Sequence, residues 1–174
     1  MRSFSALAPA TALIVTAPIA AFAASGSVED PSGDGSLGKK LDVTSATLRN
    51  NPKGIKIVVK VEQVASGSVY VYLKPKGHKR FTVTSEYDPV EGTIKNGLIK
   101  GGSVSVPCSK INATWSTSGN SITIRMPANC VDDGEYDDVK YKLATERLNG
   151  RDVDFAPQAG DDDTWLWSPF IARG

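Results

Sequence analysis

Histidine is almost absent from this chain. One residue, His78, serves all 174 positions. A Ser-His-Asp triad or a His-rich metal centre would have to be built on that single side chain. His78 lies in the basic run Lys74-Pro75-Lys76-Gly77-His78-Lys79-Arg80, where neighbouring cations disfavour its protonated form and make it a poorer base. No Gly-x-Ser-x-Gly elbow accompanies it. Cysteine is nearly as scarce. Cys108 and Cys130 are the only two, and with one histidine they cannot supply a four-ligand zinc site at these spacings. Neither sign of charge dominates, with 20 Lys+Arg against 19 Asp+Glu, so nothing in the balance calls for nucleic acid or an anionic membrane. No stretch carries a helical period with caps, and no internal repeat is visible. Hydrolase, zinc protein and nucleic-acid binder are each left without a motif.

What is present begins at the N-terminus. Arg2 supplies a positive start, residues 7–20 are uncharged and mostly apolar, and Ala21-Phe22-Ala23 is a small-x-small cleavage site. A membrane-spanning helix is the competing reading. Against it, the run is short of the roughly 20 apolar residues a span needs, Pro9 and Pro18 interrupt it, and no basic stop-transfer flank follows. Residues 1–23 are therefore expected to be a signal peptide cut before Ala24. No cysteine marks the cleavage site for lipidation, and the end, Ser168-Pro169-Phe170-Ile171-Ala172-Arg173-Gly174, has no apolar tail. The mature chain is expected to be extracellular and soluble, with no membrane span. About 150 residues remain, enough for one core.

Two cysteines in an exported chain are read as one disulfide, Cys108–Cys130, closing a loop of about 20 residues. Such a loop is worth roughly 3 kcal/mol by chain entropy.

Residues 24–40, rich in Gly and Ser, read as a flexible lead. Period-2 patterns follow. Strands are expected over 41–49, over 55–64 (Ile55, Ile57, Val59 and Val61 on one face), around Val69, Val71 and Leu73, around Phe81 and Val83, over 139–145, and over 164–172 with a break at Pro169. Asn96-Gly97, flanked by Thr93-Ile94-Lys95 and Leu98-Ile99-Lys100, predicts a type I′ hairpin turn. A second hairpin is expected over 111–126 around Gly119-Asn120, with Ser118 opposite Ser121, Trp115 opposite Ile124 and Ala113 opposite Met126. Extended, that register sets Ser109 opposite Cys130, so the disulfide would staple the hairpin's open end. The fold class predicted is all-β: a single antiparallel β-sandwich, jelly-roll or Ig-like, over residues 41–174.

Asp30-Pro31-Ser32-Gly33-Asp34 with Leu41-Asp42-Val43-Thr44-Ser45-Ala46 resembles the start of sandwich domains of carbohydrate-binding family 9 and the DOMON-like group. Asp154-Phe155-Ala156-Pro157, with Trp167-Ser168-Pro169-Phe170-Ile171-Ala172-Arg173, is similar to the tail of small secreted actinobacterial proteins of unknown function. The resemblance implies a jelly-roll-like sandwich. It brings no established activity and no ligand residues to carry over.

Three groups of side chains are candidates for function. Asp30, Asp34 and Asp42 are candidate calcium ligands in a Gly-rich loop, because calcium takes six to eight oxygens, often from loops. Their alternative is as solvated turn carboxylates. Asp132-Asp133-Gly134-Glu135 and Asp161-Asp162-Asp163 are further acidic loops, and none has an EF-hand spacing. Trp165 and Trp167, two apart, would share a face on a strand, and with Tyr70 and Tyr72 would stack sugar rings if exposed. Alternatively these tryptophans seal the core. The basic run 74–80 would attract an anionic polymer such as wall teichoic acid. A secreted, non-enzymatic sandwich binding an extracellular polysaccharide or cell-wall polymer is the function expected. The alternatives are an interaction module without small ligand and a small extracellular hydrolase. Oligomeric state is left open.

Overall fold

The computed structural model describes residues 24–36, 38–148, 150, 152–158 and 165–174. The predicted signal peptide and the acidic run Asp161-Asp162-Asp163 lie outside them. Among the described residues eleven strands follow one another: β1 (Ala24–Glu29), β2 (Val43–Asn51), β3 (Gly54–Val61), β4 (Gly67–Pro75), β5 (Phe81–Asp88), β6 (Thr93–Lys100), β7 (Val104–Ser105), β8 (Asn112–Ser116), β9 (Ser121–Pro127), β10 (Val139–Arg147) and β11 (Val153–Ala156). They build one sheet in the order β1-β2-β3-β9-β8 and another in the order β11-β10-β4-β5-β6-β7. All strand pairs are antiparallel.

Alternation explains the packing. Leu48, Ile57, Val59, Ile122 and Ile124 point inward from the first sheet, and Val71, Leu73, Val83, Tyr141 and Leu143 from the second. The result is a β-sandwich with one apolar core. The two sheets are tied by Trp115, whose Nε1 donates to Ser85 Oγ at 3.0 Å and whose ring stacks on Tyr87 at 5.3 Å.

Four expectations need correction. Residues 24–29 are not a flexible lead but strand β1, paired with β2 from Ala24↔Asn50 to Glu29↔Ser45. Backbone pairing needs no apolar side chains, and Val28 alone enters the core. Asn96-Gly97 is not a turn. It lies within β6, opposite Ser85 and Thr84 of β5. The β5–β6 connection falls at 89–92, where Asp88 Oδ1 accepts from the backbone N–H of Val90 at 2.8 Å, an Asx turn that competes with the Asn-Gly signal. The second hairpin forms, but Trp115 faces Ile122 and Ala113 faces Ile124. The register has slipped by two, which keeps each side chain on its face, because the loop opens to four residues beyond Ser116↔Ser121. The last segment is no continuous strand. It touches β10 through Val139↔Ile171 and β11's exit through Gln158↔Trp165.

Gly97 is needed for close approach. A Cβ there would stand 2.8 Å from Thr84 Oγ1. Gly97→Ala is expected to cost about 1–3 kcal/mol by overpacking, and adding Thr84→Ala should recover part of it in thermal melts. Strictly additive losses would remove the contact from the explanation.

The disulfide is present, with Cys108 and Cys130 Cα atoms 5.7 Å apart. In the observed register the cysteines still miss direct opposition by one residue. A 3₁₀ turn over Ala128–Cys130 closes the offset.

Candidate functional site

The outer face of the second sheet is built by alternation. On β4, Tyr70, Tyr72 and Lys74 point away from the core, and on β10, Lys140, Lys142 and Glu146 do so. The register sets Lys142 beside Tyr72 and Lys140 beside Lys74. The C-terminal segment folds across this face. Trp165 meets Tyr72 edge-on at 4.7 Å and Phe155 at 4.9 Å. Lys142 Nζ lies 3.6 Å from the Trp165 ring centroid and 5.0 Å from that of Trp167. Lys140 Nζ stands 5.3 Å from Trp167 and 5.2 Å from Phe170, and Arg80 lies 5.5 Å over Tyr72. Burial, followed by the Arg80 charge, lowers the pKa of Lys142.

Beside this cluster lies an open groove of about 540 Å³ lined by Lys74, Lys79, Arg80, Gly101, Lys140 and Trp167. Like charges directly opposite each other across two strands are destabilising, yet Lys74 and Lys140 are so placed. Among the described residues no carboxylate forms an ion pair with any of the groove's four cations or with Lys142. A larger groove on the first sheet, lined by Lys53, Lys56, Lys110 and Arg125 among others, is also basic but has no aromatic wall.

A second cluster sits where the loop between β1 and β2 meets β11. One carboxylate oxygen each of Asp30, Asp34 and Asp154 lies within 4.8 Å of the other two. Asp154 is 0 % and Asp30 7 % exposed, and Asp42, alongside, is 0 % exposed. Each of these buried acids accepts one backbone N–H: Asp154 Oδ2 from Val43 at 2.7 Å, Asp30 Oδ1 from Gln158 at 3.0 Å, Asp42 Oδ2 from Gly33 at 2.8 Å. Their remaining oxygens have no hydrogen-bond partner among the described residues. Burial, aided by the neighbouring carboxylates, pushes Asp30 up to about 7 and Asp154 up to about 6. Asp42 is raised in the same direction, burial again the leading cause.

Comparison with protein-family models, curated proteins and solved structures finds no match. What the surfaces can do therefore rests on their own chemistry.

Of the expected aromatic set, the structure brings Tyr72, Trp165 and Trp167 together on the outer face, and neither C-terminal tryptophan joins the core. Tyr70 lies two residues along β4 from Tyr72, half-buried on the same face, and burial raises its pKa. Trp165 is enclosed by Tyr72, Phe155 and Lys142, so Trp167 is the ring left to line the groove. Of the acids, Asp30 and Asp34 converge, but the third member is Asp154 rather than Asp42. Asp154 was hidden by its neighbours. In Val153-Asp154-Phe155-Ala156 alternation suggests Val153 and Phe155 as the inward pair, whereas Asp154 and Ala156 are buried and Phe155 is exposed. Asp132 pairs with Lys100 and its Oδ2 lies 2.8 Å from His78 Nδ1, a bond made when Nδ1 carries the proton. Within that turn it is Asp132 that is paired, and His78 is half-buried beside it.

Proposed function

We propose that this is a secreted, non-enzymatic β-sandwich that binds an anionic extracellular glycan or cell-wall polymer in the groove lined by Lys74, Lys79, Arg80, Lys140 and Trp167. The facing lysines, Lys74 and Lys140, carry this reading. They weaken the sheet locally, no carboxylate among the described residues pairs with them, and a phosphate- or carboxylate-bearing polymer would supply the missing charge. Trp167 adds an apolar wall on which the C–H face of a sugar ring packs, while its Nε1 end stays polar. The likeness of residues 30–46 to carbohydrate-binding sandwiches points the same way. Export follows from the N-terminal pattern, and cleavage before Ala24 leaves β1 whole.

The test uses protein taken from culture medium, whose N-terminal sequence should begin at Ala24. Binding to wall teichoic acid and to polygalacturonate is compared with binding to neutral dextran. The acidic polymers should bind, more weakly as salt rises. Lys74→Glu with Lys140→Glu should cut affinity at least about tenfold, the equivalent of 1.4 kcal/mol, and Trp167→Ala severalfold. Equal binding to dextran, or none to either acidic polymer, would remove this reading. Phe155, Leu166 and Phe170 are exposed near the groove and favour the second reading, a protein-interaction module, which salt-insensitive capture of a protein partner would support. Cleavage of the bound polymer would restore the hydrolase.

A further inference from the structure

We propose that Asp30, Asp34 and Asp154 hold one calcium ion, which fastens the loop between β1 and β2 to β11. The geometry comes first. Three carboxylate oxygens within 4.8 Å of one another fit around one cation whose oxygens lie about 2.4 Å away, the distance calcium takes. The second observation is independent of that clustering. Asp154 Oδ1 and Asp30 Oδ2 are buried with no hydrogen-bond partner among the described residues, although each acid's other oxygen is held by a backbone N–H. A buried, half-satisfied carboxylate is costly unless a cation or proton meets it, and Asp30 and Asp154 repel each other and the exposed Asp34 beside them.

Among the described residues no Lys, Arg or His pairs with Asp30, Asp34, Asp42 or Asp154. Asp42 adds negative field behind the cluster while its Oδ2 holds the turn at Gly33. The donors are all hard oxygens, which select calcium or magnesium over zinc or copper. Magnesium demands a tighter, near-octahedral shell. An irregular set drawn from a loop and a strand suits calcium better.

The site is reachable and has something to hold. A recess of about 310 Å³, lined by Asp34, Gly35, Ser36, Val153, Phe155 and Gln158, leads in from solvent. Gly35 is required there, because a Cβ would stand 2.7 Å from Asp154 Oδ1. Ser36 already bonds β11 through the Val153 backbone. A calcium ion would fix the same junction from the other side of the loop. It would also steady Phe155, which supports Trp165 on the outer face.

The experiment uses the whole secreted chain stripped of metal. Calcium should bind at one ion per chain in equilibrium dialysis. At about 100 times its dissociation constant it should raise the melting temperature by roughly 5–10 °C, and magnesium at equal concentration should do much less. Asp154→Asn keeps an oxygen for the Val43 N–H but removes a buried charge. It should melt no lower than the metal-free parent and lose the calcium response. Asp34→Asn, at an exposed position, should lose the response without disturbing the fold, and it decides the matter if Asp154→Asn does not fold. No rise up to about 10 mM calcium, beyond the range of extracellular modules, would overturn the assignment. So would an equal rise with magnesium, or a calcium response kept in Asp34→Asn.

Discussion

Replacing both cysteines, Cys108→Ala with Cys130→Ala, should lower the melting temperature by about 5–15 °C while leaving the protein β-rich by circular dichroism. The bond closes a sequence separation of 22 residues, for which the loss of unfolded-chain entropy is worth roughly 3 kcal/mol and measured removals run about 2–5 kcal/mol. A domain of this size gains about 2–4 °C per kcal/mol. The location sharpens the expectation. The loop encloses β8 and β9, and β8 is the five-residue edge strand of its sheet. With the staple gone, β8 is held by its pairing to β9, by the Trp115–Ser85 hydrogen bond and by the Trp115–Tyr87 stack. Amides of β8 should therefore lose hydrogen-exchange protection before those of β2 and β3, which are paired on both sides. An unchanged melting temperature, or two alkylatable thiols in unreduced secreted protein, would contradict the assignment.

Strand interiors were legible in the sequence wherever one face is apolar, as in Ile55, Ile57, Val59 and Val61. The period of two alone decides which face enters the core. Strands held by backbone pairing with little apolar content were not. Ala24–Glu29 has Val28 as its only aliphatic anchor, so composition suggested a loop where a sheet edge forms. Asn96-Gly97 misled for a different reason. That dipeptide permits a turn but does not compel one, and the Asp88 turn nearby set the pairing first. At the candidate sites, Asp30 and Asp34 were visible from the Gly-rich loop that carries them, whereas Asp154 lies more than 100 residues away and on the face its apolar neighbours seemed to claim. The basic run 74–80 was visible as charge. Its alignment with Lys140 and Trp167 depends on the β4–β10 register and on the path of the C-terminal segment, which no local pattern encodes.

Tyr141→Ala should cost about 3–5 kcal/mol, the range for deleting a fully buried aromatic ring. That is a large part of the roughly 5–15 kcal/mol available to a domain. Tyr141 is 0 % exposed and is the third residue of β10, between Leu73 of β4 and the C-terminal segment. Its ring crosses the core, and its hydroxyl donates to the Ala46 carbonyl of β2 at 2.6 Å, with the Gly26 carbonyl of β1 3.3 Å away. One side chain thus joins β10 of the second sheet to two strands of the first. Burial drives the hydroxyl's pKa upward, so it remains a neutral donor throughout the ordinary pH range. Tyr141→Phe separates the two contributions. It keeps the ring and removes only the hydroxyl, for a loss of about 1–2 kcal/mol, a net hydrogen bond plus part of the desolvation cost of the carbonyl left behind. Paired melts of the two variants should show Ala losing at least twice what Phe loses. Backbone protection should fall in β1 for both variants, because β1 is an edge strand and the hydroxyl reaches its Gly26 carbonyl across the core. If Tyr141→Phe melts as the parent does, the hydroxyl contributes nothing net, and Tyr141 joins the sheets through the apolar contacts of its ring alone.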